Sequence, residues 1–160
     1  ALFRRRLFGI GARVWGFIAL LYLVGPILLV NGILKEHWGR ARPANIREFG
    51  GSVGFSPALI PSDQCASNCS FVSGEGSAAV TLGIAMLALG PAISARWPWL
   101  ARGWTGLAVV VPALTLLQRI ATGRHFLSDS VFATLFMIAI ALALHRLPAL
   151  LQRQDRHEEG

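Results

Sequence analysis

The chain has 160 residues, 54% of them hydrophobic and 14% charged, with a mean hydropathy of +0.54. Soluble domains average about 25% charged residues, so disorder is excluded and a water-soluble domain is disfavoured, since too little polar sequence exists to coat such a core. Lys plus Arg number 15 against 8 Asp plus Glu, a formal charge of +7, but the charges sit between long apolar runs and point to a membrane rather than to nucleic acid.

The chain begins at Ala1, and an upstream part with further spans is expected. The Arg4-Arg5-Arg6 cluster does not head a secretory signal, because the apolar run behind it is too long. Val14 to Leu34 carries no charge and is long enough to cross the ~30 Å hydrocarbon core as a helix. Ser77 to Ala95 is a second uncharged run, and Trp104 to Gln118 is a third, shorter one. Ser130 to Leu144 is the fourth, and it reaches full length if its helix extends from near His125 to near Arg146. Gly25-Pro26, Gly90-Pro91 and Pro112 fall in or near these runs and predict local adjustments rather than stops. The fold class expected is all-α: a polytopic transmembrane helix bundle, forming one membrane-embedded domain over residues 1–160.

The arginines give the direction. Arg4, Arg5, Arg6 and Arg13 precede the first span, Arg96 and Arg102 lie between the second and third, and Arg146, Arg153 and Arg156 follow the fourth. Lys35, Arg40, Arg42, Arg47, Arg119 and Arg124 lie on the other side, so the positive-inside rule places the first, larger set in the cytoplasm. Trp97, Trp99 and Trp104 flank the inner loop as interfacial aromatics. The long outer loop, about residues 36–72, is rich in Pro and Gly and reads as irregular, with room for a short interfacial turn. Its Cys65 and Cys69 read as a disulfide on the oxidising side of a bacterial inner membrane, ahead of free thiols. A metal site ranks last, because two cysteines are half a zinc set. The tail, about 148–160, is polar and is expected to fray.

Polar residues converge at the outer ends of the spans. Lys35 ends span one, Ser73-Gly74-Glu75 opens span two, Arg119 closes span three, and His125 and Asp129 open span four. Ionisable groups at membrane depth are costly and mark functional sites. Each cation alone could be a snorkelling anchor. Lys35, Arg42 and Arg119 together can surround one phosphate, Arg by bidentate bonds and Lys as a point charge. Helix N-termini expected at Ser73 and near Gly123 add N–H donors. His125 and Asp129, at i and i+4, would share a helix face, with the carboxylate holding one ring nitrogen and leaving the other nucleophilic.

Lys35 and Arg42-Pro43 match K-x6-R-P, and Arg119, His125 and Asp129 match all but the first residue of S-R-x5-H-x3-D. In these motifs, their order and their place at span ends, the chain resembles the type 2 phosphatidic acid phosphatase superfamily. Val72-Ser73-Gly74-Glu75 lies where that family has P-S-G-H. Val72 replaces Pro, Gln118 replaces Ser, and Glu75 stands where the family's leaving-group acid is a histidine. The segment from Cys65 to Glu75 is similar to lipid A phosphatase-like members. Membrane members usually have six spans, so the four here fit a missing N-terminal pair.

The resemblance implies a metal-independent, cofactor-free phosphatase acting on a phosphorylated membrane lipid at the periplasmic face. Lys35, Arg42, Ser73, Gly74 and Arg119 would hold the phosphoryl group. His125 would attack phosphorus, Asp129 would orient it, and Glu75 would protonate the leaving oxygen. Arg40, Arg47 and Arg124 are read as surface residues or outer contacts to a headgroup, and His37 as interfacial. The alternatives are a phosphoryl transferase between lipids and a phospholipid-binding protein impaired through Glu75. A haloperoxidase is disfavoured by the embedding in lipid, and a transporter because transport sites sit near the midplane.

Overall fold

Apolar sequence inside a bilayer must satisfy every backbone N–H and C=O internally, and the helix does so within one segment. The computed structural model describes the backbone of residues 6–158 and the side chains of residues 7–146. Within it, 4 helices are long and apolar enough to span a membrane. They are α1 (Ala12–His37), α2 (Gly74–Arg96), α3 (Ala101–Ala121) and α4 (Leu127–Glu158). A short antiparallel hairpin, Arg6–Leu7 with Ile10–Gly11, precedes α1. The fold is all-α, as the sequence predicts. Arg4 and Arg5 lie outside the described residues, as do the side chains of Arg6, Arg153 and Arg156.

Three boundaries differ from the sequence reading. The third span is longer than Trp104 to Gln118, because Arg102 and Arg119 are helical too, placed where long side chains can reach the interface. The fourth helix starts at Leu127, not near Gly123 or His125. It continues past Pro148 to Glu158 where fraying was expected, through residues that are mostly good helix formers. In α1, Leu23–Leu34 widens to a π-helix around Pro26, and the Asn31 amide donates to the Pro26 carbonyl at 2.7 Å.

Small residues let the helices close on one another. A Cβ at Gly83 of α2 would lie 2.4 Å from the Ala108 carbonyl oxygen and 2.8 Å from Pro112 of α3. A Cβ at Gly25 of α1 would lie 2.6 Å from the Met137 sulfur of α4. The buried core joins Val30, Leu34, Val80, Ala133 and Met137 to Phe71 and Val72, which end the loop between α1 and α2. Phe71 stacks on Trp38 at 4.7 Å between ring centroids and meets Phe132 and Phe136 edge-on. The end of the long loop is thereby pinned in the bundle, which fixes Ser70 and Ser73 on either side of it.

The loop is irregular, with single 3-10 turns at Pro43–Asn45 and Arg47–Phe49. Gly39 has φ +69°, and a Cβ there would fall 1.6 Å from the Ser62 carbonyl oxygen. Cys65 and Cys69 are bridged, with their Cα atoms 5.7 Å apart. Trp38 N donates no farther than its own helix, but its carbonyl accepts from Ser62 N at 2.9 Å and folds the loop back over α1.

Candidate active site

All the singled-out polar residues lie at the end of the bundle that carries the long loop. Three short backbone bonds gather them. Cys69 N donates to the Lys35 carbonyl at 2.9 Å, Ser70 N to the Arg40 carbonyl at 2.8 Å, and Ala44 N to the Gly123 carbonyl at 3.0 Å. The last joins the loop to the turn between α3 and α4, where Gly123 takes the left-handed conformation at φ +64°. In that turn Arg124 N and His125 N both donate to the Arg119 carbonyl, at 3.1 and 3.2 Å. Residues from both halves of the chain thus meet.

The result is a cavity of about 300 Å³ walled by Lys35, Arg42, Asn68, Glu75, Arg119, Arg124 and His125. Almost every group facing it is polar. Arg42 donates to the Asn68 carbonyl at 2.8 Å. Arg119 pairs with Glu75 at 2.7 Å, and Glu75 is 64% exposed at the cavity mouth. The Arg119 Nε–H is buried and has no partner among the described residues. Burial holds Arg42 below its ordinary pKa, and the guanidiniums of Arg124 and Arg119 push it further down while Glu75 opposes them. Such crowding of cations is relieved by an anion in their midst.

Lys35, Arg42, Glu75, Arg119 and His125 therefore wall one cavity. Ser73 and Gly74 do not wall it. Ser73 is fully buried, and its hydroxyl caps α2 by accepting from Gly76 N at 3.1 Å. Gly74 instead allows close approach: a Cβ there would sit 2.9 Å from Asn31 Oδ1 and 3.3 Å from Lys35 Nζ.

The histidine is held differently from the sequence expectation. His125 precedes α4, so it shares no helix face with Asp129. Its Nδ1 lies 2.8 Å from the Ser70 carbonyl and 3.7 Å from Asp129 Oδ2, beyond hydrogen-bond range. A carbonyl only accepts, so Nδ1 carries the proton and Nε2 keeps its lone pair. Asp129 is fully buried and occupied elsewhere. Its Oδ2 accepts from Ser70 Oγ at 2.6 Å and from Phe126 N at 2.9 Å. Its Oδ1 accepts from Arg40 Nη1 at 2.5 Å.

Arg40, expected as a surface residue or an outer contact to a headgroup, is instead buried at 2% exposed and does not wall the cavity. It also donates to the Ser56 carbonyl at 2.9 Å and to Ser128 Oγ at 3.0 Å, and its guanidinium stacks 4.2 Å from the Phe126 ring centroid. The available signal was Asp129 itself, since a buried carboxylate requires a full cation. Nothing in the sequence ranks Arg40 above its neighbours Arg42 and Arg47 for that task. Arg124, expected on the same terms as Arg40, walls the cavity. Arg47 bonds within its own loop to the Ser52 carbonyl, and His37 bonds back to Ile33 of α1 at 2.9 Å.

Comparison with known proteins agrees with this geometry. The model of the PAP2 superfamily matches residues 15–153. A lipid A 4'-phosphatase of Rhizobium leguminosarum is 38% identical over 136 residues, covering 85% of this chain and 55% of the relative. One from Francisella tularensis subsp. novicida is 39% identical over 122 residues, covering 76% of this chain and 52% of the relative. The chain spans about half the length of the curated relatives it matches. No solved structure matches it. A family match running through all four spans, over a cation-walled cavity that takes residues from α1, α2 and α3, the long loop and the turn before α4, has one meaning: the chain belongs to the PAP2 superfamily.

Proposed function

We propose that this chain carries the active site of an integral-membrane lipid phosphatase, cleaving a phosphate monoester or diphosphate of an anionic lipid through a phosphohistidine. The observation that carries the reading is the fixed tautomer of His125 beside the cation cavity. With Nδ1–H given to the Ser70 carbonyl, Nε2 is the free nucleophile. Lys35, Arg42 and Arg119 hold the phosphoryl oxygens, and the unpartnered Arg119 Nε–H supplies a donor with no other use. Their charge stabilises the transition state, usually the largest single catalytic contribution.

The Nε2 lone pair forms the N–P bond as the bond from phosphorus to the lipid oxygen breaks. Glu75, displaced from Arg119 by the incoming phosphoryl oxygens, takes up the proton of the phosphate monoanion and passes it to the leaving alkoxide. Glu75 then takes a proton from water, which attacks phosphorus. The N–P electron pair returns to Nε2 and phosphate leaves. Asp129 stabilises the imidazolium through space and holds Ser70, which holds the ring. No metal enters the scheme.

The arginine distribution supports a bacterial inner membrane with the cavity facing the periplasm. The names of the relatives support an outer-leaflet phosphorylated glycolipid as substrate. The deciding experiment is phosphate release by purified protein, with EDTA present. The panel is phosphatidic acid, phosphatidylglycerophosphate, a polyprenyl diphosphate and lipid A. Release from at least one, and none from His125→Ala, is expected. A need for added divalent metal, or wild-type turnover by His125→Ala, overturns the mechanism. Labelled product found on a second lipid rather than as free phosphate identifies a transferase. Binding without turnover identifies an impaired protein.

A further inference from the structure

Below the cavity, α3 and α4 diverge. Leu116, Leu117 and Ile120 of α3 face Leu127, Val131 and Leu135 of α4 across an apolar groove of about 410 Å³. Leu117, Leu127, Val131 and Leu135 are exposed along it, so the groove is open on its side. By contrast, α2 and α3 close tightly through Gly83.

Two observations tie the groove to the site above it. Its upper end is one or two residues from the cavity on every side. Ile120 follows Arg119, and Leu116 Cδ2 lies 2.5 Å from where a Cβ on Gly76 would be, next to Glu75. Leu127 comes two residues after His125. Secondly, Ser130 lies in the groove wall, immediately after Asp129. It is 3% exposed, and its hydroxyl has no hydrogen-bond partner among the described residues. A hydroxyl buried in apolar surroundings without a partner is costly, so this one calls for a polar group from outside the chain.

We infer that the groove is the acyl-chain subsite for the lipid whose phosphate the cavity holds, with Ser130 hydrogen-bonding the carbonyl or hydroxyl near the head of that chain. This rests on the phosphatase reading. The dimensions fit a chain that stays in one leaflet. From Leu127 to Leu135 the helix rises about 12 Å, against roughly 15 Å for half the hydrocarbon core. Bilayer and groove are equally apolar, so entry gains nothing from the hydrophobic effect. The groove acts by shape and through Ser130, which makes it a device for selecting and aligning the chain under a fixed head.

Val131→Trp and Ala113→Trp fill the groove at its middle and inner end. The readout is the ratio of kcat/KM for the most active long-chain lipid of the panel to that for short-chain, water-soluble phosphatidic acid. Both variants should lower the ratio about tenfold or more, and Ser130→Ala about fivefold. Leu107→Trp and Val109→Trp, exposed on α3 outside the groove, should leave it unchanged. An unchanged ratio in both groove variants, or an equal fall in the controls, overturns the subsite while leaving the phosphatase reading intact. Absence of phosphate release from every wild-type assay overturns that reading and the subsite with it.

Discussion

Replacing Arg40 by alanine is the sharpest test of how His125, the proposed nucleophile, is supported. The change removes the Asp129 contact at 2.5 Å, the Ser128 contact at 3.0 Å and the Ser56 contact at 2.9 Å. It leaves a carboxylate that is 0% exposed with its Oδ1 unpaired. Removing one partner of a buried ion pair costs about 3–5 kcal/mol, because the remaining charge stays desolvated. At roughly 2–4 °C per kcal/mol for a chain of this size, the melting temperature in detergent should fall by about 10 °C. Arg40 does not wall the cavity, so the KM for lipid phosphate should change little. By contrast, kcat should drop, because Asp129 holds Ser70 and the Ser70 carbonyl holds the ring. Arg40→Lys keeps the charge but cannot fork to three acceptors, and should fall between wild type and alanine. Adding Asp129→Asn to Arg40→Ala should recover part of the lost stability, with a coupling of at least ~1 kcal/mol. Thermal melting followed by tryptophan fluorescence, with steady-state phosphate release, covers each quantity. Wild-type melting and wild-type kcat in Arg40→Ala would refute the argument.

His125→Ala should lower phosphate release by at least ~10³-fold with unchanged melting, read from kcat and a thermal scan. Arg119→Lys loses the planar fork and its unpartnered Nε–H, and kcat/KM should fall roughly 10–100-fold with the fold intact. Glu75→Gln should lower kcat about 10²-fold, while Glu75→His should retain activity; a Gln variant as fast as wild type removes Glu75 from proton transfer. Gly39→Ala forces a side chain into φ +69° and against the Ser62 carbonyl. It should destabilise the protein by about 3 kcal/mol or more, visible as a lower melting temperature.

The spans were legible because apolar length is a strong signal in a bilayer, and only the ends escaped. Periodicity and charge do not mark where α4 begins, since that is set by Asp129 accepting from Phe126 N. Lys35 and Arg119 were legible because a charge at a span end is conspicuous, and Arg42 because it completes K-x6-R-P with Lys35 and Pro43. Arg40 was not, because a loop arginine looks solvated until Phe55 and Phe126 close over it, with centroids 5.7 and 4.2 Å from its guanidinium carbon. Ser73 is the opposite case. Its place at a helix N-terminus and in the P-S-G-H-like segment suggested substrate contact, but its hydroxyl is used in capping α2.

Two of the fixed acceptors at the site belong to the main chain, the Asn68 carbonyl for Arg42 and the Ser70 carbonyl for His125. Almost any amino acid supplies a carbonyl, so the identity of these letters can drift over generations without disturbing the acceptors. Their spacing cannot. A single insertion or deletion between Cys65 and Phe71 would shift both oxygens at once, so the length of that stretch should be guarded far more closely than its spelling.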